Sequence, residues 1–237
     1  MYIHMLLFSR PTTTLRHHAG IFGGNFHTHN SLYLPPGLDV VCYSSGHDYV
    51  RGIRYALQQA SRGRMVMSVD CTHLLNIRHL HDKDNEWMHA YPGVGEDEAV
   101  MPFDKVTCYG HSEANDTAVV TYGDGVLSAL QAKAALETDD APGGITVIDS
   151  PLLSRVPEGL TAALSDHPFQ RVVFADICKQ GQNPLNNIAL QLRASGALST
   201  ERWDVVTACP TYNPLGSTVT FLNTDDVIEA IKAVRSQ

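Results

Sequence analysis

Short apolar, β-branched segments alternate with longer amphipathic segments along most of the chain. The first such unit predicts a strand, a helix and a second strand over residues 38–44, 47–61 and 64–70. Within this helix Val50, Ile53 and Leu57 recur at helical spacing, which predicts that they lie on one face. Alternation of this kind is typical of βαβ units around a mostly parallel sheet.

The same alternation resumes after residue 115 with greater regularity. Strands are predicted at 117–123, 144–150, 171–177 and 203–209. Helices are predicted near 126–136, 157–165 and 184–195, with a last one over 224–236. Asp225 and Asp226 lie in the first turn of the last helix, where acidic side chains favour the helix dipole, and Thr224 is its predicted N-cap.

The segment between these two parts, about 71–115, is rich in His, Asp, Glu, Pro and Gly and contains only a short possible strand at 104–110. Long irregular segments of this composition commonly connect domains. The sequence therefore predicts an α/β protein in which an N-terminal domain, a linker and a C-terminal domain occupy residues 1–75, 76–100 and 101–237.

Composition excludes several classes of partner. The chain has 17 basic and 25 acidic residues and no run of Lys or Arg, so a nucleic-acid surface is not expected. No apolar segment approaches the length that crosses a bilayer, so no membrane role is expected. The five cysteines form no C-x-x-C motif, which favours reduced, buried thiols in an intracellular compartment. That compartment is expected to be the cytoplasm or the mitochondrial matrix, since residues 1–38 carry no acidic side chain and faintly resemble a transit peptide.

Gly123-Asp124-Gly125 is the triplet that opens the metal and diphosphate motif of thiamine-diphosphate enzymes. A cation site of that kind also requires an asparagine oxygen from the same motif. The first asparagine after Asp124 is Asn183, which lies too far along the chain. Because the triplet falls between a predicted strand and a predicted helix, we predict that its glycines permit a tight turn and that Asp124 caps the helix.

A second stretch with ligand-type side chains covers 79–84, with His73 and His89 on either side. Its spacing matches no closed zinc pattern, and a solvated linker has the same composition. We therefore predict no metal site in this chain.

Several segments resemble, in their order, the β subunit of thiamine-diphosphate-dependent 2-oxo acid dehydrogenase E1 components. Gly23-Gly24-Asn25-Phe26-His27 resembles that family's glycine-histidine element, and Pro36-Gly37-Leu38-Asp39-Val40-Val41 resembles the element that follows it. Three later segments resemble successive elements of its C-terminal domain: DTAVVTYGDGVLSALQAKAAL, ITVIDSPLLSRVP and FLNTDDVIEAIKAV. The resemblance spans nearly the whole chain and implies a partial transketolase-like pyrimidine-binding domain followed by a transketolase C-terminal-type domain.

The resemblance also implies a catalytic residue. His27 matches the family histidine that faces the cofactor's reactive ring and the 2-oxo acid, and His29 is the fallback assignment. An imidazole suits this role because its pKa lies near neutrality, so it can donate a proton to developing negative charge. The alternative is that HTHN is a polar turn whose histidines face solvent. No cofactor-binding residue of this chain is assigned.

The cofactor implied is thiamine diphosphate with Mg²⁺, with the diphosphate and the ion held by an α-type E1 partner. The implied reaction is oxidative decarboxylation of a 2-oxo acid, such as pyruvate or a branched-chain acid, with acyl transfer to the lipoyl group of an acyltransferase core. The sequence has no counterpart of the family's N-terminal stretch with its aminopyrimidine-binding glutamate, so the chain is expected to act within an oligomer. Two alternatives stay open: a non-catalytic assembly or docking module of the same fold, and another transketolase-like enzyme.

Overall fold

A computed structural model describes residues 3–8, 10–17, 32, 34–95, 99–137, 144–210 and 221–237. Its strands are Ile3–Phe8 (β1), Arg10–His17 (β2), Leu38–Val41 (β3), Met65–Cys71 (β4), Thr107–Tyr109 (β5), Asn115–Thr121 (β6), Gly144–Asp149 (β7), Arg171–Lys179 (β8) and Trp203–Ala208 (β9). Its helices are Gly46–Ser61 (α1), Gly125–Leu136 (α2), Glu158–Asp166 (α3), Pro184–Ser195 (α4) and Thr224–Ser236 (α5), and a 3₁₀ turn covers Thr72–Asn76.

The described strands form two sheets. The N-terminal sheet has the order β1-β2-β4-β3, in which β2, β4 and β3 are parallel and β1 is antiparallel to β2. The C-terminal sheet has the order β5-β7-β6-β8-β9, and every pair in it is parallel except β5 with β7. The predicted fold class, α/β with mostly parallel sheets, is therefore confirmed.

The predicted elements are present with boundaries shifted by a few residues, and the last helix has the predicted bounds. The β1-β2 hairpin was not predicted, because its residues carry no clear alternation of apolar and polar positions. The prediction that Thr224 caps α5 is wrong. Asn223 is the N-cap, and it forms a reciprocal capping box with Asp226, which satisfies two backbone amides at once.

The face of helix α1 that carries Val50, Ile53 and Leu57 is not its buried face. Leu57 is 46% exposed, and Val50 and Ile53 are only partly buried. The side chain of Tyr43 lies against Gly52, where an added Cβ would meet the ring at 2.0 Å. Because Tyr43 fills the space beside the helix backbone, the larger apolar side chains of α1 have no room on that face.

The two sheets are joined by the segment that follows β7. The backbone amide of Cys42 donates to the carbonyl of Pro151 at 2.8 Å, and the amide of Leu153 donates to the carbonyl of Val40 at 2.8 Å. Between these bonds Val41 and Leu152 form an antiparallel β-bridge. Among the described strands, β3 lies at the edge of its sheet, so this segment satisfies backbone groups that an uncovered edge would expose.

One large apolar cluster includes buried side chains of both sheets, among them Val40 and Val69 from the first and Val120 and Ile148 from the second.

The predicted linker lies over α1, and the described residues of 77–106 form neither helix nor strand. Arg54 of α1 donates from its guanidinium to three carbonyls of this segment, those of Pro92, Gly93 and Ala99, at 2.7 to 3.2 Å. The division into domains at this segment stays a prediction.

In the part of the chain that the structure describes, no helix combines the length and the apolar character needed to span a membrane.

The turn at Gly123 allows a direct test of this packing. Its φ is +56°, and an added Cβ would lie 2.7 Å from Sγ of Cys71 and 3.0 Å from Sγ of Cys42. We expect Gly123→Ala to lower the free energy of unfolding through both backbone strain and steric overlap. Gly196→Ala is the matched control, because its φ is +82° and an added Cβ there would have no described residue within 4 Å apart from its own turn of chain. Chemical denaturation should show that Gly123→Ala costs about 1–3 kcal/mol more than Gly196→Ala.

Adding Cys71→Ala to Gly123→Ala should recover part of this difference, because it removes the nearer sulfur. Equal losses for the two glycine variants would contradict the packing described here.

Candidate functional site

A cleft of about 430 Å³ lies at the carboxyl ends of β3 and β4. Ligand sites in open α/β sheets commonly lie at this end of the strands. Its walls come from the turn after β3, the first turn of α1, the 3₁₀ turn and the linker, and its lining residues include Tyr43, Ser44, His47, Asp70, Cys71, Leu74, Trp87 and His89. A concave site with mostly apolar walls and a few polar groups is typical of small-molecule binding.

The mouth of the cleft combines aromatic and imidazole groups. Trp87 is buried, and its ring makes an edge contact with His89 at 5.4 Å between centroids. Burial lowers the pKa of His89 and outweighs the opposing effect of Asp48, so this imidazole is neutral at pH 7. His47 lies 3.5 Å from the carboxylate of Asp48. The cleft therefore offers flat apolar surfaces and imidazole nitrogens for hydrogen bonding.

A buried carboxyl group lies behind the cleft wall, where the two sheets meet. Asp149 ends β7, and its Oδ2 accepts a short hydrogen bond from the hydroxyl of Ser44. Burial raises the pKa of Asp149 to about 7, against a smaller opposing effect of the Ser44 bond. Its Oδ1 is buried and has no hydrogen-bond partner among the described residues. The sequence predicted strands that end near Ser44 and Asp149. It could not predict the hydrogen bond between these two residues, because that bond depends on how the two sheets meet.

Asp124 occupies the turn between β6 and α2, as predicted, but it does not cap the helix as predicted. It has helical backbone angles, and its side chain makes no capping hydrogen bond. Its Oδ2 lies 3.8 Å from Nδ1 of His73, and its Oδ1 is buried without a hydrogen-bond partner in the described part of the chain. The side chain is turned toward the 3₁₀ turn after β4, because the turn at Gly123 packs against the sulfurs of Cys42 and Cys71.

The prediction that all five cysteines are buried is wrong for two of them. Cys108 and Cys209 are exposed, whereas Cys42, Cys71 and Cys178 are buried. The sulfurs of Cys42 and Cys71 lie 3.7 Å apart beneath the cleft. Their pairing could not be predicted, since 28 residues separate them in the sequence and neither lies in a recognisable thiol motif.

The catalytic residue predicted from the resemblance, His27, and its fallback, His29, lie outside the described residues. Both assignments stay predictions.

Ligand-type atoms of His81, Asp84 and Glu86 come within 4.8 Å of one another, on a mostly exposed part of the linker. Carboxylate groups at the surface often lie this close without an ion, so the group by itself assigns no metal.

The described residues fit the ring of thiamine diphosphate but not its diphosphate with Mg²⁺. The cleft offers aromatic and apolar walls with an aspartate and histidines at its edge, which suits a flat, hydrogen-bonding ring. Magnesium and a diphosphate instead require several hard oxygen ligands. Gly123, in the triplet that resembles such a motif, faces two thiols and the side chain of Ile177. Within the described ranges, no cluster of metal-ligand atoms includes Asp124.

The contact between Asp124 and His73 predicts that the pKa of His73 depends on the Asp124 side chain. Hydrogen bonding to Asp124, together with its charge, raises the pKa of His73 despite partial burial. We expect Asp124→Asn to lower the pKa of His73 when the imidazole protons are titrated by NMR. His89 is the internal control, because burial, Asp48 and His47 determine its shift. A His73 pKa unchanged by the substitution would contradict the contact.

The buried carboxyl of Asp149 predicts a dependence of stability on pH. Between about pH 4 and 7 the folded state retains a proton that the unfolded chain has released, so the free energy of unfolding should fall as pH rises through this window. Asp149→Asn should flatten this fall by on the order of a few kcal/mol. Urea denaturation from pH 4 to 8 measures both profiles.

Burial also raises the pKa of Asp176, to about 6, and this group contributes a similar slope in both proteins. The difference between the two profiles therefore isolates Asp149. Parallel profiles would mean that Asp149 does not titrate in this window.

Comparison with known proteins shows similarity at the level of structure. No protein-family model matches the chain, and no curated protein matches it. Among solved structures, the chain is similar to a protein described as a split-gene transketolase in an inactive β4 tetramer, with a TM-score of 0.64 and 14% sequence identity. The match covers 94% of this chain and 65% of that one, so this chain spans less than two thirds of the length of its structural neighbour. At this identity the similarity shows the fold alone, and that fold is transketolase-like.

Proposed function

We propose that this chain is the β-type part of a thiamine-diphosphate-dependent enzyme and that it functions together with an α-type partner chain. The observation that carries the proposal is the transketolase-like arrangement of both sheets over 94% of the chain. The structural neighbour is described as a split-gene transketolase whose β4 tetramer is inactive. By analogy, the present chain would assemble as an oligomer and would be inactive by itself.

The specific activity we propose is that of a 2-oxo acid dehydrogenase E1 component. The order of the resembling segments supports it, from the glycine-histidine element that ends at His27 to the segment that forms α5. Such an enzyme decarboxylates a 2-oxo acid and transfers the acyl group to a lipoyl group on an acyltransferase core. When bound, thiamine diphosphate supplies the carbanion that attacks the substrate carbonyl and then accepts the electrons released by decarboxylation.

In the proposed function, the residues of this chain bind and orient the cofactor's ring and the substrate. In the proposed function the cleft holds a ring against Trp87 and Leu74, and Asp70 lies at its edge to accept a hydrogen bond. His89 is neutral at pH 7 and can accept a proton or a hydrogen bond there. His27 would donate to the substrate carboxylate or to the oxyanion that develops on its carbonyl. These roles require apolar walls, because hydrogen bonds and charges act more strongly where water is excluded.

The diphosphate and Mg²⁺ would be held by the partner chain. Gly123 of the triplet faces two thiols and the side chain of Ile177, and a hard cation prefers several oxygen ligands. Because the cofactor is divided between two chains in this proposal, we expect neither chain alone to bind it tightly.

A second candidate function is the transfer of a two-carbon ketol group between sugars. The observation that favours it is that the structural neighbour is described as a transketolase. A third candidate is an assembly module that keeps the fold for docking and has no catalytic role. The three candidates differ in what His27 does and in which substrate is turned over.

The proposal predicts that the chain alone sediments as an oligomer and gives no calorimetric signal with thiamine diphosphate and Mg²⁺. Addition of the α-type chain should create a binding signal and 2-oxo acid-dependent reduction of an artificial electron acceptor. In that complex His27→Ala should lower turnover at least about tenfold and change cofactor affinity far less, because a group that acts on developing charge contributes mainly to the chemical step. His29→Ala tests the fallback assignment, and a loss of turnover in this variant with turnover retained in His27→Ala would transfer the catalytic role to His29.

The other outcomes identify the other candidates. Turnover of a ketose phosphate without turnover of 2-oxo acids would replace the dehydrogenase proposal by the transketolase one. A complex that forms but whose turnover responds to neither His27 nor His29 would identify an assembly module. Tight cofactor binding by the chain alone would refute the division of the cofactor between two chains.

A further inference from the structure

Cys42 and Cys71, the buried sulfur pair beneath the cleft, are arranged so that a disulfide bond can join them. Cys42 follows β3 directly, and Cys71 is the last residue of β4, the neighbouring parallel strand. Both side chains belong to the large apolar cluster, whereas Val41 and Tyr43 belong to the smaller cluster on the other face of the strand. The two thiols therefore point to the same side of the sheet.

The sulfur atoms are in contact, with 3.7 Å between them. A disulfide requires a separation of about 2.05 Å, so the sulfurs must approach each other by roughly 1.7 Å. Rotation of the two side chains must supply most of this movement, because the amide of Cys42 is held by its hydrogen bond to the carbonyl of Pro151. Cys178, the other buried cysteine, instead accepts a hydrogen bond from the hydroxyl of Tyr122 at 3.3 Å.

The surroundings hold the pair in place and give one sulfur access to the cleft. The absent side chain of Gly123 leaves the space that both sulfurs occupy. Both cysteines are buried, but Cys71 is 3% exposed and lines the cleft, whereas Cys42 has no exposed surface. A small oxidant that enters the cleft therefore reaches Cys71 first, and Cys42 is the neighbouring thiol that can resolve the product.

We propose that Cys42 and Cys71 form a reversible disulfide and that this modification changes the cleft above it. With hydrogen peroxide as oxidant, the Cys71 sulfur attacks one peroxide oxygen, the O–O bond breaks, and a sulfenic acid and one water form. The Cys42 sulfur then attacks the Cys71 sulfur and expels a second water. Two electrons pass from the sulfurs to the peroxide, and an added dithiol reductant reverses the reaction. This inference is independent of the proposed function.

The reaction should be slow in the folded chain. The hydrogen bond with Cys42 and burial both raise the pKa of the Cys71 thiol, so little of the reactive thiolate is present at neutral pH. The pair would thus stay reduced until peroxide is in excess. Because Cys71 lines the same cleft as Trp87, the disulfide would displace the part of the cleft wall that Cys71 forms.

The test uses the full chain with the exposed cysteines replaced, Cys108→Ser and Cys209→Ser. After treatment with excess hydrogen peroxide, the chain is unfolded, its free thiols are alkylated, and its peptides are mapped without reduction. We expect two of the three remaining thiols to be lost and a cross-linked peptide pair that contains Cys42 and Cys71. Treatment with dithiothreitol should restore all three thiols. Retention of all three thiols, or a cross-link that includes Cys178, would overturn the proposal.

Matched variants separate the pair from its surroundings. Adding Cys178→Ser should leave the cross-link intact, whereas adding Cys42→Ser or Cys71→Ser should abolish it. The effect on the cleft is measured by Trp87 fluorescence in a Trp203→Phe background, because these are the two tryptophans of the chain. Emission should shift on oxidation and return on reduction. A cross-link without a change in Trp87 emission would overturn the coupling to the cleft.

Discussion

The contact between the turn at Gly123 and the sulfurs of Cys42 and Cys71 is the constraint on which the rest of the site depends. The turn belongs to the C-terminal sheet and the sulfurs belong to the N-terminal sheet, so this contact brings the carboxyl ends of β3, β4 and β6 together. Only a residue without a side chain fits, and a positive φ excludes most others in any case. The segment after β7 completes the junction by pairing with the outer edge of β3.

Because the strand ends meet there, the junction also buries polar groups that a simple apolar interface would exclude. Asp149 retains one hydrogen bond, to Ser44, and its other oxygen has no partner among the described residues. Burial of a charged carboxylate is costly, so the group responds by holding its proton to a higher pH. Strongly perturbed pKa values cluster at functional sites, although structural networks produce them as well.

In contrast, the buried carboxyl of Asp176 is fully paired. It accepts hydrogen bonds from the hydroxyl of Tyr122 and from the backbone amides of Cys178 and Leu185. Its role is to satisfy the first turn of α4 and the irregular end of β8. The comparison separates two kinds of buried carboxyl: Asp176 stabilises local structure, whereas Asp149 links the two sheets beside the cleft.

The amino-acid sequence by itself determined the succession of strands and helices and the mostly parallel α/β class, because those features depend on local periodicity and on turn-forming residues. It also placed Gly123-Asp124-Gly125 at a strand-to-helix turn. The buried face of α1, the direction of the Asp124 side chain and the meeting of Asp149 with Ser44 were decided by tertiary structure. Each depends on contacts between residues distant in the chain: Tyr43 occupies the space beside Gly52, and the 3₁₀ turn after β4 brings His73 to Asp124. Local patterns do not encode such distances, so the cleft and its sulfur pair became visible only when the two sheets were brought together.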